Sequence, residues 1–234
     1  MVQRVDPENP TNRTYGGLDK AYDHFNAALF GGQLPRCLIT MQRKKGSYGY
    51  FAAERFGRRA GKAMSGDVDL VTDEIALNPS LFDSRMTDDT LSTLVHEMVH
   101  LWQHHFGEAS RSGYHNREWA RRMIEVGLVP SSTGQPGGKQ VGQKVSHYIA
   151  PGGAFSRACA ALRQTGFDAF YIELWDDAER QKAKKKAASK TKYSCPDCDV
   201  RAWAKPATSL VCGDCGVDLV EEIVDLDDDD ETED

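Results

Sequence analysis

His96-Glu97-Met98-Val99-His100 sets the reading of this 234-residue chain. The pattern is H-E-x-x-H, and its chemistry depends on a helix. Residues four apart lie one turn apart on the same helix face. His96 and His100 can therefore aim imidazole nitrogens at one metal ion. Glu97 stands beside the pair, placed to act on the metal's water rather than to bind the metal. The flanking sequence predicts the helix. Thr87 is the expected N-cap, and Asp88 and Asp89 fall in the first turn, where the helix dipole favours negative charge. Leu91, Leu94, Val95, Met98, Leu101 and Trp102 recur at helical spacing. At about 100° per residue the histidines fall opposite that stripe, so one side of the helix should enter a core and the other face a cleft.

Catalytic zinc commonly takes three protein ligands and keeps one position open. The metzincin continuation would need Gly at 103 and His at 106, but the chain has Gln103 and Phe106. His104 lies in line with His96 and His100, yet two turns of helix, about 11 Å, is too far for one ion. His104 and His105 are therefore read as solvent-facing or supporting groups. Downstream, Gly113-Tyr114-His115-Asn116-Arg117-Glu118-Trp119 offers a third ligand. Asn116 is an N-cap candidate for a further helix with Trp119, Met123, Ile124 and Val126 on its apolar face. His115 then sits just ahead of that helix. Glu118 is the runner-up ligand and Glu125 a further one, although the place of Glu118 in the first turn already suits the dipole.

His96, Glu97 and His100, then fourteen residues, then His115 followed by Asn-x-x-Trp, resemble the SprT-like metallopeptidases, which include the Spartan DNA–protein crosslink proteases. The resemblance spans roughly Leu18 to Tyr148. It implies an α+β, zincin-like domain over residues 17–176, with a small antiparallel sheet and an active-site helix. It also implies zinc on His96, His100 and His115, with Glu97 as general base in peptide hydrolysis. The expected substrates are proteins bound or crosslinked to DNA. In such folds the strand before the zinc helix is an edge that pairs with extended substrate, here Glu74-Ile75-Ala76-Leu77. Hydrolysis also needs a hydrogen-bond donor for the developing oxyanion, and Tyr114, His147 and Tyr148 are the candidates.

The resemblance extends to a second cluster. Cys195-Pro-Asp-Cys198 and Cys212-Gly-Asp-Cys215 are separated by thirteen residues. Two C-x-x-C turns at this separation read as a closed four-cysteine zinc ribbon over residues 193–224, structural rather than catalytic. So short a segment cannot build a large core, and metal would supply its folding free energy. Arg201, Trp203 and Lys205 lie between the two turns. They form either a stacking and phosphate-binding surface for single strands, or, for Trp203, part of the ribbon's own core. The leftover Cys37 and Cys159 read as buried thiols.

Net charge is −6, unevenly spread. Eleven acidic residues and no basic ones lie between Asp218 and Asp234, and the remaining 29 basic and 24 acidic residues leave +5. A basic body with an acidic tail permits nucleic-acid contact. The tail, residues 225–234, reads as disordered. Residues 177–192 form a basic linker in which Lys184, Lys185 and Lys186 are candidate nucleic-acid contacts. So are Arg58, Arg59 and Lys62 in the loop after the second strand, whose simpler reading is a solvated hairpin tip.

Residues 1–16 read as a flexible arm and Leu18 to Leu29 as a helix closed by Gly31-Gly32. Arg36–Gln42, Ser47–Phe56, Asp67–Leu77 and Val145–Ile149 read as strands, the first two joined by a turn at Lys44-Lys45-Gly46. Pro130–Lys144 reads as a flexible loop, Phe155–Gln164 as a helix and Phe167–Trp175 as strand-like. No stretch is long and apolar enough to span a bilayer, and no apolar leader follows Met1. The expected location is cytoplasmic, at the nucleoid, or nuclear in a eukaryote. The competing reading is a zinc-stabilised DNA-binding or adaptor protein whose H-E-x-x-H site performs no catalysis.

Overall fold

A computed structural model describes residues 9–59, 68–82, 85–167 and 191–222. The chain divides into two compact units, Met1–Glu173 and Leu174–Asp234. The larger unit is α+β.

The first unit opens with α1 (Pro10–Phe30), which starts well before Leu18. Its start is fixed by Asn9, whose side chain accepts from the backbone N–H of Thr11 and Asn12, with Pro10 preorganised behind it. Part of the expected N-terminal arm is therefore helical. Leu18, Ala21, Tyr22 and Phe25 bury one face, and Gly31 at φ 65° ends the helix.

The three-stranded sheet has the order β1 (Leu38–Met41), β3 (Val68–Leu77), β2 (Gly49–Arg59). β1 runs parallel to β3 and β2 antiparallel to it, so the sheet is mixed rather than antiparallel. Asn78 braces this arrangement. Its amide donates to the carbonyls of Lys44 at 2.8 Å and Ser47 at 2.9 Å, and its backbone N–H to Tyr48. That clamp holds the Lys44–Gly46 turn at the end of β3, and β3 enters between β1 and β2. Glu74–Leu77 is thus in the central strand, paired on both sides, and cannot take a substrate strand. β2 is the edge beside the cleft. A bulge between Ala52 and Phe56 interrupts it, where Glu54 sits at φ 50° and donates its N–H to Asp73 Oδ1 at 2.8 Å.

The long helix α2 (Thr87–Phe106) packs on this sheet and on α1. Its N-cap position is Met86, without a side-chain cap bond; Thr87 is the first helical residue. Asp88 and Asp89 occupy the first turn, and Asp88 pairs with Arg163 of α4 (Ala154–Gln164). Leu91, Leu94, Val95, Met98 and Leu101 form the expected buried stripe. The opposite side is not an open surface either, since Ser92, Thr93, Glu97 and Gln103 are also buried. His105 at the far end reaches Asp73 Oδ2 at 2.7 Å and fastens the helix to β3.

α3 (Arg117–Glu125) follows, N-capped by Asn116, and then β4 (Leu128–Ser131) pairs antiparallel with β5 (Ser146–Ile149). β4 takes the start of the segment expected to be a loop. No described helix is long and apolar enough to cross a membrane.

The second unit is a three-stranded sheet, β7 (Arg201–Ala204), β6 (Thr191–Ser194), β8 (Val220–Glu222). Tyr193 fills its interior, and its hydroxyl donates to Lys205 O at 2.9 Å. Trp203 is 61% exposed, so the ribbon's core does not use it. Arg201, Trp203 and Lys205 alternate outward from one strand and its continuation. The expected strand at 167–175, most of the basic linker and the acidic tail lie outside the described residues.

Gly127 joins α3 to β4 at φ 89°, and a Cβ there would stand 2.7 Å from Phe155 N and 2.8 Å from Ala154 N. Gly127→Ala should lower unfolding stability by at least about 2 kcal/mol, from left-handed strain and overpacking together. Denaturant titration checks this; wild-type stability in the variant would contradict the packing described.

Candidate active site

Three imidazoles converge where α2 meets the turn before α3. The ligand atoms of His96, His100 and His115 all lie within 4.8 Å of one another. Two arrive on one face of α2, as the spacing of four requires. The third is held by backbone. His115 N donates to Gly142 O at 2.9 Å and Gly142 N to His115 O at 3.0 Å, an isolated antiparallel bridge. His115 Nδ1 also lies 3.2 Å from Gly142 O. A carbonyl only accepts, so Nδ1 carries the proton and Nε2 keeps its lone pair. Gly142 belongs to the segment expected to be a flexible loop, and it is this segment that orients the third imidazole.

The turn carrying His115 is closed by polar contacts from three side chains. Gln103 Nε2 donates to Asn116 Oδ1 and to Glu118 Oε2, both at 2.8 Å. Asn116 Oδ1 caps α3 through Trp119 N at 3.0 Å. Glu118 Oε2 also accepts from Glu108 N at 2.8 Å. Glu118 is therefore engaged in the turn and is not a ligand, and Glu125 pairs with Arg122. Against all three imidazoles lies Trp119, fully buried, its ring centroid 4.1 Å from His115, 4.9 Å from His96 and 5.3 Å from His100.

Burial sets the proton chemistry. It pushes His96 far below the usual imidazole range, with His147, His100 and His115 adding to the effect. It takes His100 down to about 3 and lowers His115 as well. All three present neutral nitrogen donors at neutral pH, the form a metal binds. Three imidazoles and one open side suit zinc or a similar borderline cation. Glu97 goes the other way: burial pushes its carboxyl up to about 8, opposed by the Lys44 charge and a backbone hydrogen bond at Phe51.

A cleft of about 870 Å³ opens onto this centre. One wall is Gly49–Ala53 of β2, and Tyr48, Arg85, Arg111, Tyr114 and Lys144 also line it. Gly49 allows the close approach of wall and helix, because a Cβ there would meet Ala76 O at 2.7 Å and Thr93 Cγ2 at 3.0 Å. Of the oxyanion candidates, Tyr114 lines the cleft under the Arg111 guanidinium. His147 lines it too, but both its ring nitrogens are engaged, by His96 and Ser92. Tyr148, one residue along β5, is not among the lining residues. Arg85 was not legible in the sequence; its Nη1 donates to Thr93 Oγ1 at 2.9 Å and its guanidinium lies over the Tyr48 ring.

The four ribbon cysteines form a separate group, again with ligand atoms within 4.8 Å. Their two turns repeat one design. Cys195 N donates to Val200 O and Cys212 N to Val217 O, with positive φ at Asp199 (58°) and Gly216 (68°). Backbone N–H groups of Cys215 and Asp214 lower the Cys212 thiol, the direction that favours a metal-binding thiolate. Among the candidate nucleic-acid contacts, Arg58 lies on β2 beside Phe56 and Leu70, outside the cleft. The Arg59 side chain, Lys62 and Lys184–Lys186 lie outside the described residues.

Comparison with known proteins places this geometry. The chain matches the SprT-like family over residues 18–140, which takes in His96, Glu97, His100 and His115. A protein of Salmonella typhimurium, described as an uncharacterized protein in the mucB 3′ region, is 55% identical over 53 residues. That stretch is 22% of this chain and 72% of that protein.

The Glu97 shift has a measurable consequence in the metal-free protein. Between 4.5 and about 8 the folded protein holds a proton on Glu97 that the unfolded chain releases. Stability from this group is full below that window and is lost as pH rises through it. Glu97→Gln removes the dependence, while the histidine contributions cancel in the comparison. In thermal melts with chelator, the variant should gain on wild type steadily from about pH 5 to about pH 8. A constant or reversed gap would contradict the burial of the carboxyl.

Proposed function

The chain belongs to the SprT-like family, and from that premise we propose that it is a zinc-dependent endopeptidase acting on proteins bound or crosslinked to DNA. Glu97 carries the reading. It is a carboxyl buried in the cleft wall, one residue from the first member of a three-histidine set. A purely structural metal site has no use for such a group, whose burial is costly. The three neutral imidazoles line the cleft, and a zinc ion they held would be accessible to water and substrate, as catalytic zinc is.

Zinc bound there would supply Lewis acidity to a water and to the scissile carbonyl. The chain's own side chains handle protons and position. The charge of a bound cation would favour the ionised carboxylate, and Glu97 then takes a proton from the attacking water and returns it to the leaving amine. The edge of β2 at Gly49–Ala53 offers backbone donors and acceptors to an extended substrate. Tyr114 is the remaining side chain for the developing oxyanion. The four ribbon cysteines suit a second, structural zinc.

The DNA part rests on charge and on one exposed ring. The cleft lining includes Arg85, Arg111 and Lys144, with Glu97 as the acidic side chain among them. On the second unit, exposed Trp203 between Arg201 and Lys205 is a surface on which a base could stack beside phosphate contacts. We place the protein where the cell keeps its DNA.

The test is cleavage of a DNA-bound basic protein, with and without single-stranded DNA, by wild type and Glu97→Gln. Cleavage should fall at least about 100-fold in the variant, with its zinc retained. Full activity of Glu97→Gln would remove the assigned role. Tight DNA binding with no cleavage by wild type would favour the binding-module reading that the Trp203 surface also supports.

A further inference from the structure

A line of hydrogen bonds runs from the metal centre back into α2, and the hydroxyl at its far end sets the polarity of the rest. Ser92 Oγ donates to Asp89 O at 2.8 Å. A hydroxyl has a single proton, so toward His147 Nε2, 2.8 Å away, Ser92 can only accept. His147 Nε2 therefore carries a proton. A neutral imidazole has one N–H, which leaves His147 Nδ1 as an acceptor. It lies 3.0 Å from His96 Nδ1, which must then donate. His96 is left with its lone pair on Nε2. The other end of the line demands the same polarity, because a His96 that holds an ion through Nε2 keeps its proton on Nδ1.

We infer that Ser92 and His147 are positioning residues for the metal centre: together they fix His96 in the Nδ1–H tautomer and aim its Nε2 at the ion. Ser92 sits four residues before His96, on the same face of α2, and His147 comes across from β5. The acceptor behind the ligand is thus a neutral ring, where a carboxylate or backbone carbonyl is usual. It orients His96 without adding negative charge near the ion. His147 also lies beyond the stretch matched by the family, at residues 18–140. This role replaces the expectation that His147 donates to an oxyanion.

The inference concerns metal binding, so it can fail or succeed whether or not peptide hydrolysis is observed. The experiment is a zinc competition titration of the full chain against a chromophoric chelator, resolving the histidine site from the cysteine site. His147→Ala should weaken zinc at the histidine site about 10- to 100-fold and leave the cysteine site unchanged. Ser92→Ala, nearly isosteric within a helix, should weaken it less but measurably. His147→Asn places an acceptor oxygen where Nδ1 stood and should recover most of the affinity. Wild-type affinity in both Ser92→Ala and His147→Ala would overturn the inference. So would a His147→Ala variant that loses turnover with zinc affinity intact, or no recovery in His147→Asn.

Discussion

The structure depends on holding three neutral imidazoles close together on one indole at the foot of a cleft. A single helix can supply two of them from adjacent turns but cannot bring a third into the same coordination sphere. The third must come from another element and be held there. Trp119 provides the floor, the Gly142 bridge fixes the backbone of His115, and Gln103, Asn116 and Glu118 close the turn between the two helices. The neighbouring features follow from this arrangement. α2 is buried on both sides because the metal face lies at the bottom of a cleft. The same burial that lowers the histidines raises Glu97, so one environment keeps bases neutral and makes an acid a stronger proton acceptor.

The cysteine unit solves a different problem. A three-stranded sheet of short strands around Tyr193 buries little apolar surface. Two copies of the same tight turn, each with one residue at positive φ, bring four sulfurs together at its end. Metal bound at such a cluster would supply folding free energy to the unit. With its interior filled by Tyr193, the unit leaves Trp203 exposed.

The sequence carried most of the first-order chemistry. The spacing of four placed His96 and His100 on one helix face, the Asn116 cap located the start of α3, and with it His115, and the paired C-x-x-C turns announced the cysteine cluster. What it did not carry was set by contacts between residues distant along the chain. Lys44-Lys45-Gly46 reads locally as a hairpin turn, but the Asn78 amide, more than thirty residues on, holds that turn at the end of β3, which pairs between β1 and β2. The Gly- and Ser-rich stretch before β5 reads as loose because composition says nothing of the single bridge from Gly142 to His115. His147 was visible as a residue near the cleft. Its role turns on which partners its two nitrogens meet, and that is a three-dimensional fact. Ser92 was legible in principle, since Ser92, His96 and His100 share one spacing of four.

The central claim is that His115 completes a metal centre begun by His96 and His100, and metal content tests it most directly. Wild type and His115→Ala would be purified under identical conditions and their zinc quantified per chain. The account predicts two equivalents in wild type, one for each site, and one in the variant, retained at the cysteines. A His115→Ala protein that keeps the full wild-type zinc content would contradict it.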